Sequence, residues 1–189
     1  MRNSLSFDDV LLVPKYSEVM TRKDIVIKQN LKNVGDFSLP IISSPMDTVT
    51  GINMAQAMSF AGGVGIIHRY NSIEDQVRAV MEVVSRDEFV GAAIGVGEDC
   101  LERASALVRM GVSFLCIDVA HGHHLKVKTA LQSLRLSLGK DVHIMAGNVA
   151  TLEAFNDLAD WGADSIRVGI GGGSICSTRI QTGHGMPTL

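Results

Sequence analysis

The chain has 189 residues, a formal net charge of −3 and 46% hydrophobic residues, of which few are aromatic. This length can bury one sizeable core, so we expect a single domain. The charge and the lack of a basic run argue against a nucleic-acid partner, and no apolar run resembles a membrane span or a signal peptide. Three widely spaced cysteines do not suggest a disulfide framework. These features predict a cytoplasmic protein without a nucleic-acid or membrane partner.

The first part of the chain predicts irregular structure followed by a small hairpin. Leu5–Val13 is mostly apolar and stops at Pro14. Asp24–Asn30 has the apolar residues Ile25 and Ile27 at alternate positions, which is typical of a strand. We expect this region to be structural, lying as a lid over the N-terminal ends of the strands that follow.

From Leu39 onward, short apolar strands alternate with amphipathic helices of similar length. The predicted strands cover residues 40–44, 65–68, 89–96, 114–119, 142–146 and 165–168. The predicted helices cover residues 53–61, 72–84, 101–110, 125–138 and 151–161, with Ser72 as an N-cap. Strands that are apolar on both faces, each followed by a helix, predict a parallel sheet covered by helices.

The position of the polar residues selects the type of parallel fold. Polar and glycine-rich residues come directly after the strands, which is where a (β/α)8 barrel has its active site. An open doubly wound sheet is the alternative, but it predicts a glycine fingerprint where this chain has Ser-Ser-Pro-Met. We therefore predict an α/β fold, a (β/α)8 TIM barrel, with residues 1–189 as the N-terminal part of one catalytic domain. About six of the eight units are present, so a second chain or further residues would supply the last two.

The last predicted strand leads into a glycine-rich loop that contains a cysteine. Gly169 and residues 171–173 let backbone N–H groups approach an anion closely, and Ser174 adds a hydroxyl donor. Cys176 follows, with Arg179 nearby, and backbone dipoles and a guanidinium favour the nucleophilic thiolate. The pattern suggests covalent chemistry on a phosphorylated substrate. The alternative is a plain turn with a core cysteine.

The residues from Arg167 to Thr178 match the signature Arg-Val-Gly-x-Gly-x-Gly-Ser-x-Cys-x-Thr. The chain therefore resembles the inosine monophosphate (IMP) dehydrogenase and guanosine monophosphate (GMP) reductase family. The N-terminal segment Leu5–Val13 and the loop Ser43–Val49 match that family as well. The sequence of this loop, Ser-Ser-Pro-Met-Asp-Thr-Val, favours a dehydrogenase. Residues 83–89 pass directly from the second helix to the third strand, which leaves no room for the CBS regulatory modules of most dehydrogenases and favours a reductase.

The resemblance implies roles for residues in several loops. Cys176 would attack carbon 2 of the purine, and Thr178 would help to position or activate the water that hydrolyses the adduct. The implied substrate contacts are Ser44, Met46, Asn148, Arg167 and Ser174. The nicotinamide of NAD would lie by Asp118, Val119 and Ala120. Backbone carbonyls of Gly171, Gly173 and Cys176 would bind a potassium ion.

The family implies an oxidoreductase that converts IMP to xanthosine monophosphate (XMP) with NAD⁺ in purine nucleotide biosynthesis, as a homotetramer once the barrel is complete. The alternative is a GMP reductase, which makes IMP with NADPH and releases ammonia. A third hypothesis is an inactive barrel fragment that binds nucleotide or a partner chain. The family's flap Arg-Tyr pair, flap glutamate and ribose-binding aspartate lie beyond Leu189, so we expect the isolated chain to be inactive.

Three further polar segments have alternative interpretations. His121, His123 and His124 suggest a zinc site, but no carboxylate or cysteine at ligand spacing completes it. Asn148 could equally begin a helix as its N-cap. His68 and Arg69 are interpreted as the polar end of the second predicted strand, with side chains that form hydrogen bonds within the protein.

Overall fold

The computed structural model describes residues 5–86 and 88–189. Six parallel strands form one sheet in sequence order, and a two-stranded antiparallel hairpin precedes it. The strands are β1 Gln29–Leu31, β2 Gly35–Phe37, β3 Ile42–Ser43, β4 Val64–Ile67, β5 Val90–Ile94, β6 Phe114–Asp118, β7 Ile144–Val149 and β8 Ser165–Val168. The helices are α1 Ile52–Phe60, α2 Ile73–Val84, α3 Cys100–Arg109, α4 Leu125–Leu138, α5 Leu152–Asp160 and α6 Ser177–Thr182. Within the described ranges, no helix combines the length and apolarity needed to cross a membrane.

Both faces of the sheet are buried, because successive strand residues point to opposite sides. One face packs under the helices, with Ile67, Ile117 and Ile144 in the same cluster as helix residues. The other face forms a separate cluster that includes Phe114 and Met145. This curled parallel sheet with alternating helices confirms the predicted fold class, an incomplete (β/α)8 barrel.

The first and last strands of the sheet are its edges. Ile42 on β3 and Val168 on β8 are exposed, whereas β5 is fully buried. Each edge strand has one side that pairs with no other strand in the described part of the chain. Apolar side chains and unpaired backbone groups at both edges provide the place where further barrel strands would pair.

The hairpin lies where a lid was predicted, but its first strand does not cover the predicted residues. Pairing joins Gln29–Leu31 to Gly35–Phe37, while Arg22–Asp24 forms a short 3-10 turn. Residues 25–28 include Ile25 and Ile27 at alternate positions but have no strand opposite them in the described part of the chain, so they remain irregular. Phe37 packs into the cluster that contains Phe114 and Met145, which fixes the hairpin against the N-terminal part of the strands.

Local sequence signals start the helices as expected. The Ser72 hydroxyl accepts a hydrogen bond from the Asp75 amide at the start of α2, and Thr151 caps α5 in the same way. Residues 85–89 join α2 to β5, and Asp87 in this connection lies outside the described residues. All the loops that follow the strands emerge at the C-terminal edge of the sheet, where the predicted site residues therefore meet.

Candidate active site at the C-terminal edge of the sheet

The cysteine loop reverses direction directly after β8. Gly169 and Gly171 have positive φ angles of 125° and 72°, which favour glycine over other residues. At Gly171 a Cβ atom would also lie 3.0 Å from Gly185 Cα, so the loop packs too closely there for a larger residue. The loop ends at Cys176, which occupies the N-cap position of the short helix α6. The glycines thus place the thiol at the mouth of the barrel.

The three cysteines have different acidities because their surroundings differ. The backbone of Arg179 and the side chain of Thr178 hydrogen bond to the Cys176 thiolate and lower its pKa. Burial raises the pKa of Cys100 at the start of α3. Burial raises the pKa of Cys116 in the middle of β6 to about 12. Cys176 is therefore the cysteine with enhanced thiolate character.

A cavity of about 410 Å³ brings all the predicted catalytic and cofactor residues together. Its lining includes Asp118, Val119, Ala120, Asn148, Gly171, Cys176 and Thr178. These residues lie at the C-terminal ends of β6 and β7 or in the segments that follow β6 and β8. The cavity thus places a thiol and a threonine hydroxyl opposite a carboxylate.

A neighbouring cavity of about 280 Å³ contains the predicted substrate residues Ser44, Met46 and Arg167, and it shares Asp118 with the first cavity. Arg167 Nη1 donates to Asp118 Oδ1 at 2.5 Å, and the same nitrogen lies 3.8 Å from the Cys116 sulfur. The ion pair fixes the carboxylate between the two cavities.

Two predicted site residues, Gly173 and Ser174, line neither of these cavities. Ser174 is exposed, and its carbonyl accepts a hydrogen bond from the Arg179 guanidinium at 3.0 Å. Its predicted role as a phosphate donor stays a prediction.

Asn148 supports the cysteine loop. It lies within β7 and not in the loop after it, and its side-chain amide donates to the Gly169 carbonyl at 2.9 Å. The alternative interpretation of Asn148 as a helix N-cap is wrong, because Thr151 performs that function for α5.

Sequence reasoning missed two residues of the site, Arg69 and Tyr70. Both line the cavity with Cys176, and Tyr70 also lines the smaller cavity. Arg69 Nε donates to the Asp118 carbonyl at 3.3 Å, and its guanidinium lies 5.3 Å from the centre of the Tyr70 ring. Their position just after β4 could have indicated that they belong to the site, because the other site residues also lie at or just after the ends of strands.

A third, largely apolar cavity of about 620 Å³ adjoins the site through Ala120 and Thr178. His123 lines it and forms a hydrogen bond of 2.8 Å to Asp157, while its ring stacks on Trp161. Within residues 5–86 and 88–189, no group of three or more metal-binding side chains converges, at these histidines or elsewhere. The His121 and His124 rings contact each other with their centres 6.2 Å apart, and His124 Nδ1 accepts a hydrogen bond from the Lys126 amide at 3.0 Å.

The carbonyls assigned to potassium by resemblance lie on the cysteine loop. The Gly171 oxygen accepts from Arg179 Nη1 at 3.2 Å, and the Gly173 oxygen accepts from the Cys176 amide at 3.1 Å. Each carbonyl oxygen has a second lone pair, so oxygen donors of the right chemistry are present. Because the Arg179 guanidinium already supplies a positive charge at Gly171, the fit is partial and the potassium site stays a prediction.

Comparisons with known proteins identify the family of this chain. The profile of the family described as IMP dehydrogenase / GMP reductase domain matches residues 4–189. An inosine-5'-monophosphate dehydrogenase of Cryptosporidium parvum is 39% identical, over 98% of this chain and 56% of its own length. Proteins of the same name from Borreliella burgdorferi and Nitrosopumilus maritimus are 32% and 27% identical, over 100% of this chain and 58% and 65% of their own lengths. The chain thus spans less than two thirds of these relatives.

Proposed function

Because the chain belongs to the IMP dehydrogenase / GMP reductase family, we propose that it forms the nucleophile-bearing part of an NAD-dependent IMP dehydrogenase. The observation that supports this proposal best is the single cavity that Cys176 and Thr178 share with Asp118 and Ala120. The substrate in this proposal is a purine nucleoside monophosphate, and the product is XMP.

In the proposed reaction Cys176 is the nucleophile. Hydrogen bonds from Arg179 and Thr178 stabilise its thiolate, and the thiolate sulfur bonds to carbon 2 of the hypoxanthine ring. After carbon 2 has lost a hydride, the oxygen of a water bonds to it; one water proton goes to the ring nitrogen and the other to solvent, and the carbon–sulfur bond breaks, which returns the thiolate and yields XMP. Thr178 lies beside the thiol and lines the same cavity, so its hydroxyl can hold this water.

In this proposal the nicotinamide group lies beside the cysteine. Asp118, Val119 and Ala120 line the cavity with Cys176, and the ion pair with Arg167 holds the Asp118 carboxylate in place. NAD⁺, when bound, supplies the hydride acceptor. The contribution of this chain is to orient that group next to carbon 2 of the substrate.

The short connection between α2 and β5 is the feature that favours a reductase. However, the C. parvum and N. maritimus relatives are both named dehydrogenases, although they align over 228 and 312 positions with this chain of 189 residues. Relatives of that name thus differ widely in the residues they insert within the matched region. The dehydrogenase is therefore proposed on the names of these relatives and on the residues of the loop Ser43–Val49, and the reductase is the alternative.

Complementation tests the proposed reaction. We expect no steady turnover from the 189-residue chain alone, because the edge strands β3 and β8 each lack a second neighbouring strand within the described residues. The chain is mixed with the C-terminal portion of the C. parvum relative, IMP and NAD⁺ are added, and NADH absorbance is followed. A mixture prepared with Cys176→Ala is the matched control.

Turnover by the mixture and not by either part supports the dehydrogenase. Activity only with GMP and NADPH would select the reductase. No turnover by a mixture that forms a stable complex would favour a barrel fragment that binds nucleotide without catalysis.

A further inference from the structure

A buried polar network lies directly behind the loop that joins β4 to α2, on the side away from the ligand cavities. Gln76 on α2 is fully buried, and Arg103 on α3 is 8% exposed. Neither side chain lines any of the cavities at the C-terminal edge of the sheet. Burying a guanidinium costs free energy unless it is paired and hydrogen bonded. A specific role is therefore expected for this network.

Gln76 joins the ends of two neighbouring strands. The ladder between β4 and β5 pairs Ile67 with Ala92 as its last residues. Beyond that pair, Gln76 Nε2 donates to the His68 carbonyl at 3.1 Å and to the Ala93 carbonyl at 2.8 Å. One side-chain amide therefore binds both strands at the point where backbone pairing stops.

Arg103 joins the helices to the loop. Its Nη1 donates to Gln76 Oε1 at 2.9 Å, its Nε donates to Asp99 Oδ2 at 2.8 Å, and its Nη2 donates to the Asn71 carbonyl at 3.2 Å. The planar fork of a guanidinium can make these three bonds in different directions at once, whereas a lysine has a single nitrogen. The His68 and Asn71 carbonyls are thus held from the outer side of the barrel.

The residues between these two anchored carbonyls are Arg69 and Tyr70, which line the cavity with Cys176. Arg69 reaches from this loop across Gly95 to the Asp118 carbonyl; a Cβ atom at Gly95 would lie 3.2 Å from its Nη1. We propose that Gln76 and Arg103 are positioning residues that hold the β4–α2 loop so that Arg69 and Tyr70 face the ligand cavity. The proposal rests on the proposed function only in that this cavity is the nucleotide site.

The first arm of the test measures hydrogen exchange of the intact chain by mass spectrometry. Arg103→Met keeps the apolar stem but removes three hydrogen bonds, so exchange of the amides of residues 68–72 should rise about tenfold or more. Arg103→Lys should give a smaller rise. Arg109→Met, at an exposed position on the same helix, should give none, and amides of α5 should be unchanged in all three variants. Unchanged exchange in residues 68–72 of Arg103→Met, or an equal rise in α5, would overturn the positioning role.

The second arm measures the IMP concentration that half-protects Cys176 from alkylation. We expect Arg103→Met to raise this concentration about tenfold, while the alkylation rate without nucleotide stays at the wild-type value. If IMP does not protect wild-type Cys176, the nucleotide site proposed above is wrong, and the exchange arm still decides the positioning role. An unchanged half-protection concentration in Arg103→Met would contradict the proposed link to ligand binding.

Discussion

The two ends of the same sheet both carry charged and polar side chains, but they use them differently. At the N-terminal end, His143 binds the Lys32 carbonyl at 2.7 Å and the Ser165 hydroxyl at 2.8 Å, and Asp164 pairs with Arg135 and Lys32. At the C-terminal end, Cys176 and Arg69 face cavities. Polar groups at the N-terminal end bind one another and attach the hairpin, whereas those at the C-terminal end also line the cavities where a ligand would bind.

This difference separates stability from reactivity. Substitutions at the N-terminal end should change the free energy of unfolding and leave the chemistry of the thiol unchanged. Substitutions at the C-terminal end should do the reverse. The following predictions test that separation.

The largest effect is expected from Cys176→Ala. Removing the nucleophile should lower turnover in the complementation assay at least about a thousandfold. Its free energy of unfolding should change by less than about 0.5 kcal/mol, because the side chain lies in a surface loop. Cys100→Ala, in the buried start of α3, serves as the control and should keep its turnover; a comparable loss there would remove the special role of Cys176.

A large loss of stability is expected from Asp164→Ala at the opposite end. This carboxylate is 8% exposed and accepts hydrogen bonds from Lys32, Arg135 and the Ile144 amide. Its removal leaves the Arg135 guanidinium without its ionic partner, which should cost about 3 kcal/mol in urea unfolding. The alkylation rate of Cys176 in the folded variant should equal that of the wild type. A changed rate would show that the two ends are coupled.

A smaller, pH-dependent effect is expected at His143. Burial lowers the pKa of His143, so below about pH 6.5 the unfolded chain binds a proton that the folded chain does not. Stability should therefore fall as the pH is lowered through the window below about 6.5, by at most about 1.4 kcal/mol per pH unit from this residue. Urea unfolding between about pH 5 and 7 measures the slope. His143→Gln should flatten it and His184→Gln, at an exposed position, should not; equal slopes would contradict the assignment.

The sequence predicted the fold well because its strands are apolar on both faces and its helices carry recognisable caps such as Ser72. It also placed Cys176 and Asp118 at the same edge of the sheet, since Asp118 lies at the end of one strand and Cys176 follows another. The contacts of Arg69 were not predictable, because its side chain crosses the end of one strand to reach the next, which depends on how the sheet curls. The hydrogen bonds of Gln76 and Arg103 were not predictable for a similar reason, since a helical sequence pattern does not show what a buried polar side chain binds.

Two other differences between the predicted and the observed strands result from strand pairing. The first hairpin strand lies at Gln29–Leu31 and not over 24–30. Apolar residues at alternate positions, such as Ile25 and Ile27, form a strand only where a second strand can pair with them. The extension of β7 to Val149 follows from its pairing with β8, across an irregularity between Gly147 and Val149. This pairing is what carries Asn148 to the cysteine loop.

The most direct test of the account is the rate at which each cysteine reacts with limiting iodoacetamide at neutral pH, measured by peptide mapping. Hydrogen bonds that lower the pKa of Cys176, together with burial that raises the pKa of Cys100 and Cys116, predict labelling of Cys176 at least about tenfold faster than either of the others. The same chain in concentrated urea should lose this preference, because the three thiols then have similar surroundings. Faster labelling of Cys116 or Cys100 in the folded chain would contradict Cys176 as the nucleophile.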